Sequence, residues 1–296
     1  MPDKTRATIP TSLPGGNLKL AEDLTLSRVG YGAMQLAGPG VWGPPRDRKQ
    51  AIAVLREAVD LGITHIDTSD YYGPYVVNEI IREALHPYPE GVHLATKVGA
   101  RRDADKSWPP ALSRPELIAA VHENLEHLGL DALDIVNLRV GGVFEPTPGS
   151  IAEPFAVLAE LQQQGLIRHL GVSGVSPEQL SEAQSIAPVV CVQNFYNLAN
   201  RADDELVDRC ARDGIAYTSF FPLGGFKPVQ SDVLDRVASR LGATPFQIAL
   251  AWLLRRSPTT LLIPGTSSVA HLRENVTGAG TELPADAVEE LDTIGS

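Results

Sequence analysis

Short apolar runs alternate with stretches of helical periodicity along nearly the whole chain. In AIAVLREAVDLG the spacing predicts a helix with Ile52, Leu55 and Val59 on one face, and Gly62 stops it before the apolar run ITHID. The alternation returns as helix VVNEIIREAL before strand VHLATK, and as helix SRPELIAAVHENLEHLG before strand LDIVNLRV, with Ser113 as N-cap and Pro115 near the first turn. Helices IAEPFAVLAELQQQG, SPEQLSEAQSI and ADDELVDRCARDG then lead to strands IRHLGVS, VVCVQ and IAYTSF. Upstream, LKLAEDLTLSRVGYG predicts a hairpin turning at Glu22 and Asp23, followed by a first strand at Val29 to Tyr31. Near the C-terminus SDVLDRVASRLG inserts a helix before helix TPFQIALAWLLRRS and strand TTLLIPG, and VAHLRENV and LPADAVEELDTI close the chain. Alternation of this kind predicts an α/β fold, a (β/α)8 TIM barrel with an N-terminal β-hairpin and extra helices near the C-terminus. An open doubly wound sheet is the alternative, because alternation alone does not force closure.

The length of 296 residues suits one such barrel, residues 1–296 forming a single domain whose first 16 residues are expected to be flexible. A formal charge of -11 opposes nucleic-acid phosphates and anionic membrane surfaces, which points to a small-molecule partner. The start, MPDKTRATIP, has no apolar stretch of a signal peptide, and no later run approaches the ~20 apolar residues of a membrane span. A cytoplasmic location is therefore expected. Cys191 and Cys210 show no CxxC or zinc spacing and read as packing residues. Nothing in the pattern sets an oligomeric state.

In a closed parallel barrel the loops after the strands share one rim, so residues ending neighbouring strands, about 4.8 Å apart, can converge. Strand two ends at Asp67 and runs into TSDYYG with Tyr72, strand three ends at Lys97, and strand four ends at Arg139. This set suits proton donation to an oxygen that gains negative charge: an ammonium beside a phenol lowers its pKa, and a carboxylate holds the ammonium charged and aimed. Taken singly, a loop cap, a turn aromatic and a solvated lysine are the plainer readings of Asp67, Tyr72 and Lys97. Their placement together weakens those readings.

The segments HIDTSDYYG, ATKVG, GVS, VQNFYN, FFPLGG and IPGTSSVAHLREN, in this order and at these strand ends, resemble the aldo-keto reductase superfamily from about Gly30 to Asn275. The resemblance implies hydride transfer from a nicotinamide cofactor to a carbonyl compound, with Tyr72 as general acid, Lys97 as the residue that lowers its pKa and Asp67 in support. Most of the family ends strand four with a histidine where this chain has Arg139. A guanidinium is a permanent donor and no base, so it can polarise a carbonyl oxygen or pair with an anionic substrate group, unless it merely pairs with a nearby carboxylate.

By the same resemblance, Ser173 and Gln193 hold the nicotinamide carboxamide, although Gly174 stands where an asparagine usually follows the serine. Phe220 takes the place of the aromatic stacked on the nicotinamide ring, and Leu223 and Gly224 line the pyrophosphate path. Thr266, Ser267 and Ser268, at the start of a helix, form the expected 2'-phosphate pocket, with Glu274 and Asn275 against adenine. Gly265 and His271 replace basic residues common there, so NADP(H) is expected with NAD(H) not excluded. GPGVWG, residues 38–43, fits GxGxxG but runs into Pro44 and Pro45, and reads as a substrate-side loop in which Trp42, together with Met34, forms candidate substrate walls. HENLEH spaces its histidines five apart, unlike HExxH, and no metal is expected. GYGAMQLAGPGVWGPPRDR, DIVNLRV, ADDELVD and FFPLGGF are similar to the bacterial pyridoxal reductase branch of the family, which implies reduction of pyridoxal to pyridoxine. A broad aldehyde and ketone reductase is the competing enzyme reading. A non-catalytic cofactor-binding subunit is the third, and the presence of Tyr72, Lys97 and Asp67 argues against it.

Overall fold

The computed structural model describes residues 13–142, 144–222, 224 and 229–295. Strands β1 (Asn17–Lys19) and β2 (Thr25–Ser27) pair antiparallel, so the hairpin forms where the sequence places it. Eight further strands follow: β3 (Tyr31–Gly32), β4 (His65–Asp67), β5 (His93–Val98), β6 (Leu133–Arg139), β7 (Ile167–Ser173), β8 (Val189–Phe195), β9 (Ala216–Phe220) and β10 (Thr260–Leu262). Each pairs in parallel with its neighbour in chain order. Isolated parallel bridges Val29–Leu262 and Gly32–Gly265 join the two ends, with Gly30 N–H donating to the Leu262 carbonyl at 2.8 Å. The barrel expectation therefore holds and the open-sheet alternative falls.

One boundary differs. The first strand was expected at Val29 to Tyr31, but the ladder runs over Tyr31–Gly32 while Val29 joins through a single bridge. This seam is narrow because Gly32 lies against the Ile263 carbonyl, a contact no side chain at that position would allow. Of the first 16 residues, Leu13 is buried and the Gly16 carbonyl accepts from the Arg28 N–H at 3.0 Å. Residues 1–12 lie outside the described residues.

The helices are α1 (Arg48–Asp60), α2 (Val76–Leu85), α3 (Arg114–Leu128), α4 (Ala152–Gln163), α5 (Pro177–Ile186), α6 (Asp204–Asp213), α7 (Asp232–Leu241), α8 (Pro245–Arg256), α9 (Val269–Ala279) and α10 (Ala285–Leu291). Ser113 caps α3, its backbone N–H and hydroxyl donating to the Glu116 carboxylate at 3.2 and 2.5 Å, with Pro115 in the first turn. On α1 the buried stripe is Ala51, Val54, Leu55 and Ala58; of the expected face only Leu55 is fully buried, while Ile52 and Val59 sit at its edge.

The inside of the barrel has two chemically distinct levels. Leu24 and Leu26 of the hairpin pack with Ala95, Ile135, Cys191, Ala216 and Leu261, so the hairpin plugs one end with apolar side chains. Above this level the inward residues turn polar, and His65, 2% exposed, lies at the transition. Burial pushes the His65 imidazole down from 6.5 to about 4, with Asp67 opposing that shift. The unfolded chain then takes up a proton that the folded chain refuses between those values, so stability falls as pH drops from about 6.5 to about 4, by about 3 kcal/mol in all. Urea unfolding across this window should show that slope reduced in His65→Asn. An identical slope in parent and variant would remove His65 as its source.

Candidate active site

The rim at the C-terminal ends of the strands carries the polar cluster. The register pairs Asp67 with Ala95 and Lys97 with Asn137, which puts the two functional side chains on adjacent inward positions. Lys97 Nζ donates to Asp67 Oδ1 at 2.6 Å and to the Thr68 carbonyl at 2.9 Å. Gln193 Nε2 donates to the other carboxylate oxygen at 2.7 Å. The three side chains are almost completely buried, and Tyr72, 8% exposed, lies beside them with Lys97 Nζ 5.2 Å from its ring centroid. The structure thus brings Tyr72, Lys97, Asp67 and Gln193 into one cluster.

The resemblance assigns Lys97 the lowering of the Tyr72 pKa; in the structure the charges that act on the phenol are Asp67 and Arg139. Burial holds the Tyr72 phenol well above its ordinary value, the Asp67 carboxylate raises it further, and the Arg139 guanidinium pulls it down. The cation that favours phenolate here is Arg139. Its neighbour Tyr71 is pushed up to about 12, also by burial.

Arg139 ends β6 directly opposite Ser173 on β7. Nη1 donates to the Ser173 hydroxyl at 3.2 Å, Nη2 to the Gly142 carbonyl at 2.8 Å, and the guanidinium lies 5.4 Å from the Phe220 centroid. Among the described residues it has no carboxylate partner, so the plain ion-pair reading fails and its charge faces the rim uncompensated.

Gly174 has no space for the missing asparagine. Its φ is +69°, and a Cβ there would sit 2.9 Å from Gly141 Cα, so the two loop backbones touch where a side chain would lie. Asn194 is bound to this turn instead, its Oδ1 accepting from the Gly174 and Val175 N–H groups at 2.8 and 3.1 Å. Gln193 Oε1 is buried with no hydrogen-bond partner among the described residues.

At the start of α9, Thr266 is buried and its carbonyl accepts from the Tyr31 hydroxyl at 2.6 Å, while Ser267 and His271 are exposed. Ser268 caps the helix, its hydroxyl accepting from the His271 N–H at 3.4 Å. Thr244 donates to Glu274 at 3.4 Å, and Asn275 is buried. A Cβ at Gly265 would come within 2.8 Å of the Gly32 carbonyl, so the barrel seam keeps a basic residue from this position. Gly224 donates its N–H to the Phe221 carbonyl at 2.9 Å, and Leu223 lies outside the described residues.

On the opposite side, Trp42 bridges to Gly73 beside the Tyr72 segment, and Met34 is partly buried against the core. Sequence reasoning passed over the loop after β5. There Arg102 stacks on Trp108 at 3.8 Å and faces Trp42 at 5.3 Å, and Trp108 stands edge-on to Tyr71 and Tyr72 at 5.4 and 6.3 Å. The clustered arginines and tryptophan of GARRDADKSW, with no helical or strand period, were the available signal. Among the described residues no group of three or more His, Cys, Asp or Glu gathers to hold a metal ion.

An eight-stranded parallel barrel with a buried Asp–Lys pair under a tyrosine at its C-terminal rim is the arrangement of a carbonyl oxidoreductase. The chain belongs to the aldo/keto reductase family, whose model matches residues 28–296. Among curated proteins it is 61% identical over 272 residues to pyridoxine 4-dehydrogenase of Escherichia coli, covering 91% of this chain and 95% of that one. It is 38% identical to an uncharacterised oxidoreductase of Schizosaccharomyces pombe, covering 95% of this chain and 90% of that one. A thermostable aldo-keto reductase solved with the inhibitor epalrestat superposes with a TM-score of 0.80 at 29% identity, over 94% of this chain and 99% of that one. Among the described residues no helix is long and apolar enough to cross a membrane.

Proposed function

We propose that the protein interconverts pyridoxal and pyridoxine with NADP(H), Tyr72 supplying the proton when the aldehyde is reduced. The observation that carries this reading is the buried Asp67–Lys97 pair beside Tyr72, with Arg139 next to it and lacking any carboxylate partner among the described residues. The similarity to the Escherichia coli enzyme supports the choice of substrate.

A bound nicotinamide supplies the hydride. The residues present suit such a cofactor: Ser173 and the free Gln193 Oε1 for its carboxamide, Phe220 for its ring, Gly224 and Leu223 along the pyrophosphate, and Glu274 and Asn275 for adenine. Thr266, Ser267 and Ser268 offer hydroxyls and first-turn N–H groups to a 2'-phosphate, with His271 near and no acidic side chain from Gly265 to His271 to repel it. This favours NADP(H) over NAD(H).

Tyr72 keeps its proton in the buried site and releases it only to the alkoxide oxygen, a stronger base than phenolate. Asp67 fixes Lys97, and Lys97 orients the phenol. Arg139 pairs with the ionised phenolic oxygen that lies next to the aldehyde of pyridoxal, and Trp42 and Met34 border the ring. Arg139→His should therefore lower kcat/KM for pyridoxal by about 10- to 100-fold, the worth of a charge-assisted hydrogen bond, and lower it less for benzaldehyde. Oxidation of NADPH and of NADH against a carbonyl panel containing both aldehydes makes the comparison; equal losses on the two would refute the pairing.

A broad aldehyde reductase is the second reading. The aromatic rim favours it, since Phe144, 64% exposed, lies 5.1 Å from Phe195, which stacks on Phe220 at 5.9 Å. Comparable turnover of pyridoxal and simple aromatic aldehydes would select that reading.

A further inference from the structure

Behind the segment that carries Tyr72 lies a buried polar network that touches neither the expected substrate walls nor the expected cofactor residues. Asn78, fully buried on the otherwise apolar inner face of α2, accepts from the Thr68 hydroxyl at 2.8 Å. Its amide nitrogen donates to Asp70 Oδ1 and Asn124 Oδ1, each at 3.0 Å. Asn124 on α3 accepts from the Thr96 hydroxyl at 2.6 Å and donates to the Ala120 carbonyl at 2.8 Å. Asp70 Oδ1 also contacts His127 Nδ1 at 2.8 Å, and the His127 ring stacks on Tyr75 at 4.8 Å. Burial pushes the Asp70 carboxyl up, while His127 and Asn78 pull it back.

The same segment is joined to Lys97 on its other side. The Thr68 carbonyl accepts from Lys97 Nζ, Ser69 Oγ donates to the Lys97 carbonyl at 3.3 Å, and the Tyr72 N–H donates to the Ser69 carbonyl at 3.0 Å. Thr96, the residue before Lys97, is tied to Asn124. Asn78 therefore connects the Tyr72 segment and the Lys97 strand through one amide. A leucine would fill the space on this helix face at lower desolvation cost, so packing does not account for an amide with three partners.

We propose that Asn78, backed by the Asp70–His127 pair, is a positioning residue that holds Thr68 to Tyr72 in place and so keeps Tyr72 over Lys97. The proposal rests on the reading of Tyr72 as proton donor, since misplacement of a donor by about 1 Å can cost about 100-fold in rate.

Asn78→Asp keeps the shape but sets an acceptor against Asp70 and Asn124. It should lower kcat about ten-fold or more while KM, and NADPH Kd read by tryptophan fluorescence, stay within about two-fold. Hydrogen exchange should show lost protection at the Tyr72 amide. His127→Leu should give a smaller loss in kcat, and His127→Asn, which offers an amide nitrogen near the place of Nδ1, should restore it. If Asn78→Asp does not fold, Thr68→Val, which deletes one link, should show the same loss in kcat alone. Unchanged kcat with unchanged exchange overturns the proposal, as does a fall in kcat accompanied by a higher KM, weaker cofactor binding and lower thermal stability, the pattern of general damage. Exchange at Tyr72 reads the hold on the segment directly, so an active Tyr72→Phe would remove the proton-donor reading and leave the positioning result standing.

Discussion

Tyr72→Phe should lower turnover of a carbonyl substrate by about 10²- to 10⁴-fold, the range of general acid catalysis, with little change in KM. The substitution removes one oxygen and keeps a ring that stands edge-on to Tyr71 at 5.4 Å and near Trp108, so the wall it forms survives. The pH dependence follows from the environment of the phenol. Burial and Asp67 raise its pKa and only Arg139 opposes them, so the proton stays on through neutral and mildly alkaline pH. Reduction requires that protonated form and should be level across this range. Oxidation of the alcohol requires the phenolate and should climb steadily toward alkaline pH, with no plateau before it. Rates measured in both directions on parent and Tyr72→Phe test this, and a reduction rate that falls through neutral pH would show a phenol far more acidic than its surroundings imply.

Lys97→Met carries the second large effect, on stability as well as rate. The Lys97–Asp67 pair is 4% exposed on each side, and loss of the ammonium leaves a buried carboxylate with Gln193 as its remaining side-chain donor. Breaking such a pair costs about 3–5 kcal/mol, because the stranded charge stays desolvated. Urea unfolding should show a loss of that size, and turnover should fall with it. Adding Asp67→Asn to Lys97→Met should recover most of the stability and none of the turnover. A double variant no more stable than the single would mean that the pair is not electrostatically coupled as its geometry demands.

The order of helices and strands was legible because hydrophobic spacing switches between two periods at almost every boundary, and Gly62, Ser113 and Pro115 mark ends by backbone chemistry that is local. Closure was not. It depends on Gly32 meeting Ile263 and Gly265 more than 200 residues away, a contact with no signature in either segment alone. The α1 face was only partly legible: large side chains were weighted over alanine, yet Ala51 and Ala58 are fully buried while Ile52 and Val59 are only partly so.

At the site, the strand-end rule located Asp67, Lys97 and Arg139, since parallel strands must deliver their last inward residues to one rim. The direction of the Tyr72 shift was hidden, because it turns on how deeply the fold buries the phenol and on how close it brings Asp67. Arg102 and Trp108 come from an irregular loop where periodicity says nothing. Asn78 and Asn124 lie on helices 46 residues apart in the chain, and only the fold reveals that they face each other.

On the proposed placement of the cofactor, the contact between Gly265 and Gly32 limits how its choice can be retuned. Installing an arginine at 265 to clasp the extra phosphate would force the barrel's closing seam apart, so a gain in selectivity there would come with a weakened scaffold. Ser267 and His271 are exposed and carry no such penalty, which on the proposed placement of the cofactor leaves them as the open route to retuning.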